Sequence, residues 1–237
     1  MILAVWSGPR NLSTSLMYSF GARSDFSIWD EPYYAAYLKK TGLNHPMRKE
    51  ILDLGIQDHK TVQSACIVEN REDRPNFYQK HQTHHMLADF DRSWILDVTN
   101  VFLIRHPARV ISSYEKKREN PTLNDIGFKQ QAEIFDFICQ KTGKRPPIID
   151  SYNVRKNPEK ELRSLCSSIG LNFDTEMLHW PSGGHKNDGI WASHWYNSAW
   201  NSTGFLPQEG PLPSLTPKMQ VLCDRALPFY EKMYAED

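Results

Sequence analysis

The 237-residue chain lacks any excess of charge, since 28 lysines and arginines meet 28 aspartates and glutamates. A nucleic-acid binder that works through the phosphate backbone needs a basic face, as does a protein drawn to an anionic bilayer, so neither partner is expected. Long apolar runs are also missing. Met1 to Trp6 and Val101 to Ile104 are typical of those present, far below the roughly 18 residues that cross a membrane. The first residues show no basic region followed by an apolar stretch and a small-residue cleavage site, which leads us to expect a cytoplasmic protein. Cysteine is scarce, and Cys66, Cys139, Cys166 and Cys223 form no C-x-x-C pair. That spacing fits reduced core thiols better than a disulfide framework or a zinc site. No internal repeat or low-complexity tract divides the chain, and about 200–250 residues is ordinary for one α/β domain. One domain over 1–237 is expected.

What is present is an alternation of short apolar runs with helical periodicity. Ile2–Trp6, Phe26–Trp29, Phe77–Gln79, Val101–Ile104 and Pro147–Asp150 read as strands, the first of them ending at Ser7-Gly8-Pro9 and the third at Lys80-His81. Helices are expected from Leu12 to Phe20, Tyr33 to Lys40, His84 to Phe90, Ala108 to Arg118, Phe128 to Lys141, Pro158 to Ile169 and Thr216 to Tyr234, with Asn11 or Ser13 capping the first. Residues 41–72 read as polar and helical in parts. The alternation predicts a three-layer α/β fold with a central parallel sheet and helices on both faces. Residues 178–217 change to Trp, His, Gly, Ser and Asn without a period, which marks a C-terminal lid or substrate loop.

In such a sheet, ligands bind outside the carboxyl ends of the strands. Gly8-Pro9-Arg10-Asn11-Leu12-Ser13-Thr14-Ser15 aligns there with the phosphate loop G-x-x-x-x-G-K-[ST], making the fold P-loop-like. Thr14 stands where the lysine of that loop would be, which disfavours ordinary ATP or GTP chemistry. An anion cradle remains, with Arg10 inside it and Ser13, Thr14 and Ser15 at the helix start. Taken alone, this segment is also compatible with a plain helix start behind an edge strand. The second motif is Arg105-His106-Pro107, followed two helical turns on by Ser113. An arginine fork and a hydroxyl suit a phosphate monoester.

Together these motifs resemble those of the sulfotransferases that use 3′-phosphoadenosine 5′-phosphosulfate (PAPS), in the order in which that family carries them. The likeness covers roughly residues 1–120. It implies that Arg10, Asn11, Leu12, Ser13, Thr14 and Ser15 hold the 5′-phosphosulfate and that Arg105 and Ser113 hold the 3′-phosphate. PAPS would be the co-substrate, with no metal expected.

The acceptor must lose a proton as it attacks sulfur, so a base is required. Glu31, in Asp30-Glu31-Pro32, resembles the Glu-Pro segment of bacterial carbohydrate sulfotransferases. His81, in Lys80-His81-Gln82, resembles the Lys-Thr-His element of cytosolic ones, though its spacing from the lysine is one residue shorter. Glu31 is our choice of base, with Lys80 donating to the bridging oxygen as charge develops on the leaving phosphate. The acceptor is expected to be a small molecule or carbohydrate, in a pocket lined by Tyr33, Tyr34, Tyr37 and the tryptophan-rich lid. Lys186 is the lid residue assigned to the nucleotide, and Trp191 or Trp195 either stacks on a ring or belongs to the core. Two other readings stay open: a degenerate P-loop phosphotransferase or nucleoside kinase, and a non-catalytic nucleotide binder. The sequence also leaves assembly open, a homo-oligomer included.

Overall fold

The computed structural model describes residues 1–68, 74–116 and 120–235. Five strands, β1 (Ile2–Ser7), β2 (Phe26–Asp30), β3 (Asn76–Gln82), β4 (Thr99–Ile104) and β5 (Ile148–Asp150), form one sheet in the order β2-β3-β1-β4-β5. Every pairing is parallel. The helices are α1 (Ser13–Gly21), α2 (Tyr34–Thr41), α3 (Arg48–Leu54), α4 (His59–Cys66), α5 (Pro107–Glu115), α6 (Leu123–Ile126), α7 (Phe128–Thr142), α8 (Ser151–Lys156), α9 (Pro158–Ser168), α10 (Ala192–Trp195), α11 (Asn197–Trp200) and α12 (Pro217–Tyr234). This is the expected α/β architecture.

Side-chain alternation along the strands builds two cores. Leu3 and Val5 of β1, Tyr78 of β3 and Val101 and Leu103 of β4 pack with α1, α2 and α9. Ala4 and Trp6, with Phe102 and Ile104, pack against α5, α7 and α12 on the other face. β1 is buried along its whole length, as a central parallel strand must be. The chain leaves β1 toward the β2 edge, whereas β3 crosses over β1 to β4. The loops after β1 and β4 therefore diverge and open a crevice at the carboxyl edge.

Backbone carbonyls at that parting need partners other than the sheet ladder. Gln131 of α7, fully buried, donates from Nε2 to Trp6 O at 3.1 Å and to Leu103 O at 2.9 Å. Asn11 Nδ2 donates to Leu103 O at 3.3 Å. Asn11 is thus diverted from the capping role expected of it. Leu12 holds the N-cap position of α1, with no side-chain cap on the helix.

Other boundaries moved for local reasons. β3 runs on through Lys80, His81 and Gln82, because β1 continues to pair with it as far as Ser7. The helix expected from His84 to Phe90 is a single 3-10 turn, Thr83–His85, with Thr83 Oγ1 bonded to Gly127 O at 2.9 Å. α8 was not anticipated; the Asp150 side chain starts it by accepting from Tyr152 N at 2.7 Å. Residues 178–217 hold two short helices, α10 and α11. The expected end of the fourth helix at Arg118, and residues 69–72 of the polar stretch, lie outside the described residues.

Gly8 is required by close approach: a Cβ there would meet the backbone oxygen of Ile126 at 2.5 Å. Neither backbone can yield without moving β1 or α6, so Gly8→Ala should cost about 1–3 kcal/mol. The check is a denaturant melt of the variant beside the wild type.

Candidate functional site

A cavity of about 240 Å³ opens at the carboxyl edge and is lined by the loop from Pro9 to Ser15, by Glu31, Lys80, Arg105 and Ser113, and by Trp195 and Tyr196 of the C-terminal region. Arg10, Leu12 and Glu31 have positive φ, at 64°, 74° and 42°. Non-glycine residues in this region cost energy, and such residues concentrate where geometry serves a ligand. All three line the cavity. With Asn11 tied to β4 and Leu12 at the cap position, the first turn of α1 has no side-chain cap. Its free backbone N–H groups and positive dipole end suit an anion. Asn11 Oδ1 is also buried without a hydrogen-bond partner.

Arginines gather beside this turn. Arg10 Nε donates to Ser113 Oγ at 3.0 Å, and Arg105 Nη1 donates to Arg10 O at 2.5 Å. Burial, and then the charge of Arg105, hold the pKa of Arg10 below its ordinary value. Arg155, from α8, and Arg109, from α5, stand on the far side of Arg105. Arg155 Nη1 and Arg109 Nε lie 3.0 and 3.6 Å from the Glu209 carboxylate, which Arg105 Nη2 also contacts. Three guanidiniums share one carboxylate here and Arg10 adds a fourth beside them, a local excess of positive charge in a chain that is neutral overall.

At the other end of the cavity the sign reverses. The pairing of β2 with β3 sets Asp30 opposite Lys80. Lys80 is almost wholly buried, and its Nζ lies 2.9 Å from Asp30 Oδ1 and 2.8 Å from Glu31 Oε1. Tyr196 completes the cluster by contacting Lys80 Nζ and donating toward Asp30 at 2.9 Å and Glu31 at 3.1 Å. Trp191 Nε1 donates to the Tyr196 oxygen at 3.1 Å. Burial works against the Lys80 charge, but the two carboxylates outweigh it and raise its pKa. Two carboxylates on one ammonium leave a negative charge in excess. Burial chiefly, and then Glu31, push the Asp30 pKa up to about 6 despite Lys80. Gln82 Nε2 donates to Glu31 Oε1 at 3.2 Å, and His85 Nδ1 lies 4.0 Å from Glu31 Oε2. Burial keeps His85 neutral.

The structure brings together most of the residues singled out in the sequence: Arg10 through Ser15, Glu31, Lys80, Arg105 and Ser113 line one cavity. His81 is not brought there. Alternation along β3 turns Lys80 and Gln82 to one face and His81 to the other, where it stacks on Trp6 with centroids 4.4 Å apart and bonds Gln79 Oε1 at 3.0 Å. Burial lowers its pKa to about 3. Lys186 is exposed and does not line the cavity. Tyr33 lies in the opposite core, stacked on Trp94, and Tyr37 packs behind His85; of the three tyrosines expected around an acceptor, Tyr34 alone lines the cavity. Trp191 is core and Trp195 is wall. Tyr196, Gln82, His85 and the Arg155–Glu209 pair escaped sequence reasoning; Arg155 lies in α8, a helix the sequence did not announce.

Comparison with known proteins gives the family. The chain belongs to the sulfotransferase family: the Sulfotransferase domain matches residues 1–237. Two Arabidopsis thaliana proteins named branched-chain-amino-acid aminotransferase-like protein 2 and 1 are similar at 35% and 34% identity over 97% of this chain. The chain spans about two fifths of their length, 40% and 41%. Among solved structures, a sulfotransferase from Alicyclobacillus acidocaldarius superposes with a TM-score of 0.58 at 13% identity, covering 100% of this chain and 96% of that one. Mouse sulfotransferase SULT7A1, complexed with PAP, gives 0.52 at 14% identity, covering 99% and 85%. Both share the fold.

The Asp30 shift has a thermodynamic consequence. A carboxyl with a raised native pKa binds its proton more tightly folded than unfolded, so its stabilising contribution is complete below the unfolded value, near 3.9, and is lost as pH rises through about 6. Asp30→Asn should therefore flatten the dependence of Tm on pH between roughly 4 and 6. Paired thermal melts across that range provide the check.

Proposed function

We propose that the cavity binds PAPS and that the protein moves its sulfuryl group to a hydroxyl or amine of a small-molecule or carbohydrate acceptor. The observation that carries this reading is the two-ended cavity, with arginines and an uncapped helix start at one end and a buried carboxylate–lysine cluster at the other. The complex of the mouse structural neighbour with PAP makes the same nucleotide class the first candidate here. The residues fit it: Arg10, Ser13, Thr14, Ser15 and the amides of α1 suit a 5′-phosphosulfate, and Arg105 with Ser113 a 3′-phosphate.

Glu31 is the base. Its carboxylate is held by Lys80, Gln82 and Tyr196 and lines the cavity, where it accepts the proton of the attacking hydroxyl or amine. That proton neutralises one of the two carboxylates on Lys80. An ammonium has three N–H donors, and those of Lys80 now face Asp30, Glu31 and Tyr196. Protonation of Glu31 loosens one of these bonds and frees a donor for the bridging oxygen as the bond to sulfur breaks. Asp30 keeps the ammonium charged throughout. Catalysis is thus positioning plus charge compensation.

Isothermal titration with adenosine 3′,5′-bisphosphate, beside ATP with Mg²⁺, tests the nucleotide assignment. The bisphosphate should bind the wild type and lose at least about tenfold in affinity in Arg105→Ala, as expected for an ionic hydrogen bond. Preference for ATP, or no binding of either, would overturn it. Glu31→Gln should leave bisphosphate affinity within about twofold and reduce sulfuryl transfer by roughly 10²–10⁴, measured by release of the bisphosphate from PAPS in the presence of an acceptor.

A further inference from the structure

The segment 206–210 is seated in an unusual way. Its apolar residue, Leu206, is 40% exposed, whereas the side chain of its charged residue, Glu209, is only 10% exposed. The hydrophobic effect does not hold this strap. Charge and hydrogen bonds do. The Glu209 carboxylate contacts Arg105 through Nη2 and, at 3.4 Å, through Nε, lies 3.0 Å from Arg155 Nη1, and lies 3.6 Å from Arg109 Nε. The same arginines hold the strap's backbone: Arg155 Nε donates to Pro207 O at 2.8 Å and Arg109 Nη2 to Gly210 O at 2.6 Å.

These guanidiniums come from the end of β4, from α5 and from α8, so three separate elements converge on one carboxylate. Arg105, Arg109 and Arg155 against Glu209 leave about two positive charges uncompensated, and burial and the neighbouring guanidiniums work against the charge of Arg155. A phosphate monoester carries about 1.5 to 2 negative charges near neutral pH and offers three acceptor oxygens, against one charge and two oxygens for a carboxylate.

We propose that Glu209 is an internal anion occupying the seat of the nucleotide's second phosphate, and that a phosphate monoester takes its place on Arg105, Arg109 and Arg155 and releases the strap. The inference rests on the nucleotide reading above and adds to it a built-in competitor. The carboxylate keeps the arginines paired when the site is empty of nucleotide and returns to them as the product nucleotide leaves, so binding is weaker and release faster than bare arginines would allow. Release limits turnover in many enzymes. The strap carries Glu209 three residues after the wall residue Leu206, so its displacement also widens the cavity.

The test is titration and stopped-flow release of adenosine 3′,5′-bisphosphate, with 5′-AMP as the ligand lacking the second phosphate, on wild type and Glu209→Gln. The glutamine keeps the shape and removes the charge. The bisphosphate should bind the variant about tenfold more tightly and leave it correspondingly more slowly, with 5′-AMP changed by less than about twofold. In the wild type, saturating bisphosphate should speed hydrogen exchange in residues 206–210, a readout that does not depend on the variant folding. Equal or weaker bisphosphate binding by Glu209→Gln, or slower exchange in the strap, would overturn the proposal. Should neither protein bind the bisphosphate, the nucleotide reading falls, and inorganic phosphate then decides the exchange: it must still bind Glu209→Gln more tightly than wild type.

Discussion

An ammonium group buried inside a parallel sheet is the constraint on which the rest of this site depends. Lys80 sits mid-sheet on β3 with its side chain 1% exposed, and a charge so placed must be neutralised by partners that bring good geometry. Asp30 meets that need through strand register. Glu31 meets it through a left-handed backbone conformation, which turns the chain from β2 toward α2 while keeping a second carboxylate on the same ammonium. Tyr196, 116 residues further along, ties the C-terminal region to the same point. One buried charge thereby fixes two strands, a helix start and the cavity wall, and leaves a proton acceptor in the cavity.

The anion end is built by a different economy of backbone groups. Where β1 and β4 part, two side chains, Gln131 and Asn11, satisfy carbonyls that a longer sheet would have paired. Using Asn11 in this way deprives α1 of a cap. The strain at Arg10 and Leu12 and the open helix terminus are thus two sides of one local solution, and a helix that closed its own first turn would offer less to an anion.

How much of this was legible in the sequence follows from which interactions are local. β1, β4 and the loop after β1 announce themselves through short apolar runs and a phosphate-loop pattern, and the motif at Arg105 falls at a strand end by the same periodicity. Glu31 and Lys80 were readable as strand-end residues, but their direct contact depends on inter-strand register, which no local pattern encodes. His81 shows the limit most clearly. Its neighbours in sequence, Lys80 and Gln82, line the cavity, yet a period of two sends it to the opposite face. Tyr33 was misplaced for a similar reason, since a one-residue shift at the start of a helix rotates a side chain by about 100°. Tyr196 and Glu209 belong to a stretch without periodicity, and their positions are set by charged partners more than 50 residues distant in sequence.

The separation of sign along the cavity has a consequence for orientation. The chain as a whole carries no net charge, so it exerts little attraction at long range. Inside the cavity, arginines stand at one pole and an excess carboxylate at the other, and low-dielectric walls keep these fields from cancelling. A molecule with an anionic tail and an uncharged head meets a torque before it meets a contact. With its tail at the arginines such a molecule is attracted, whereas the reversed pose sets the tail against the excess carboxylate and is repelled. The cavity therefore acts as a polarity filter, rejecting reversed binding modes by the direction of its field as well as by its shape.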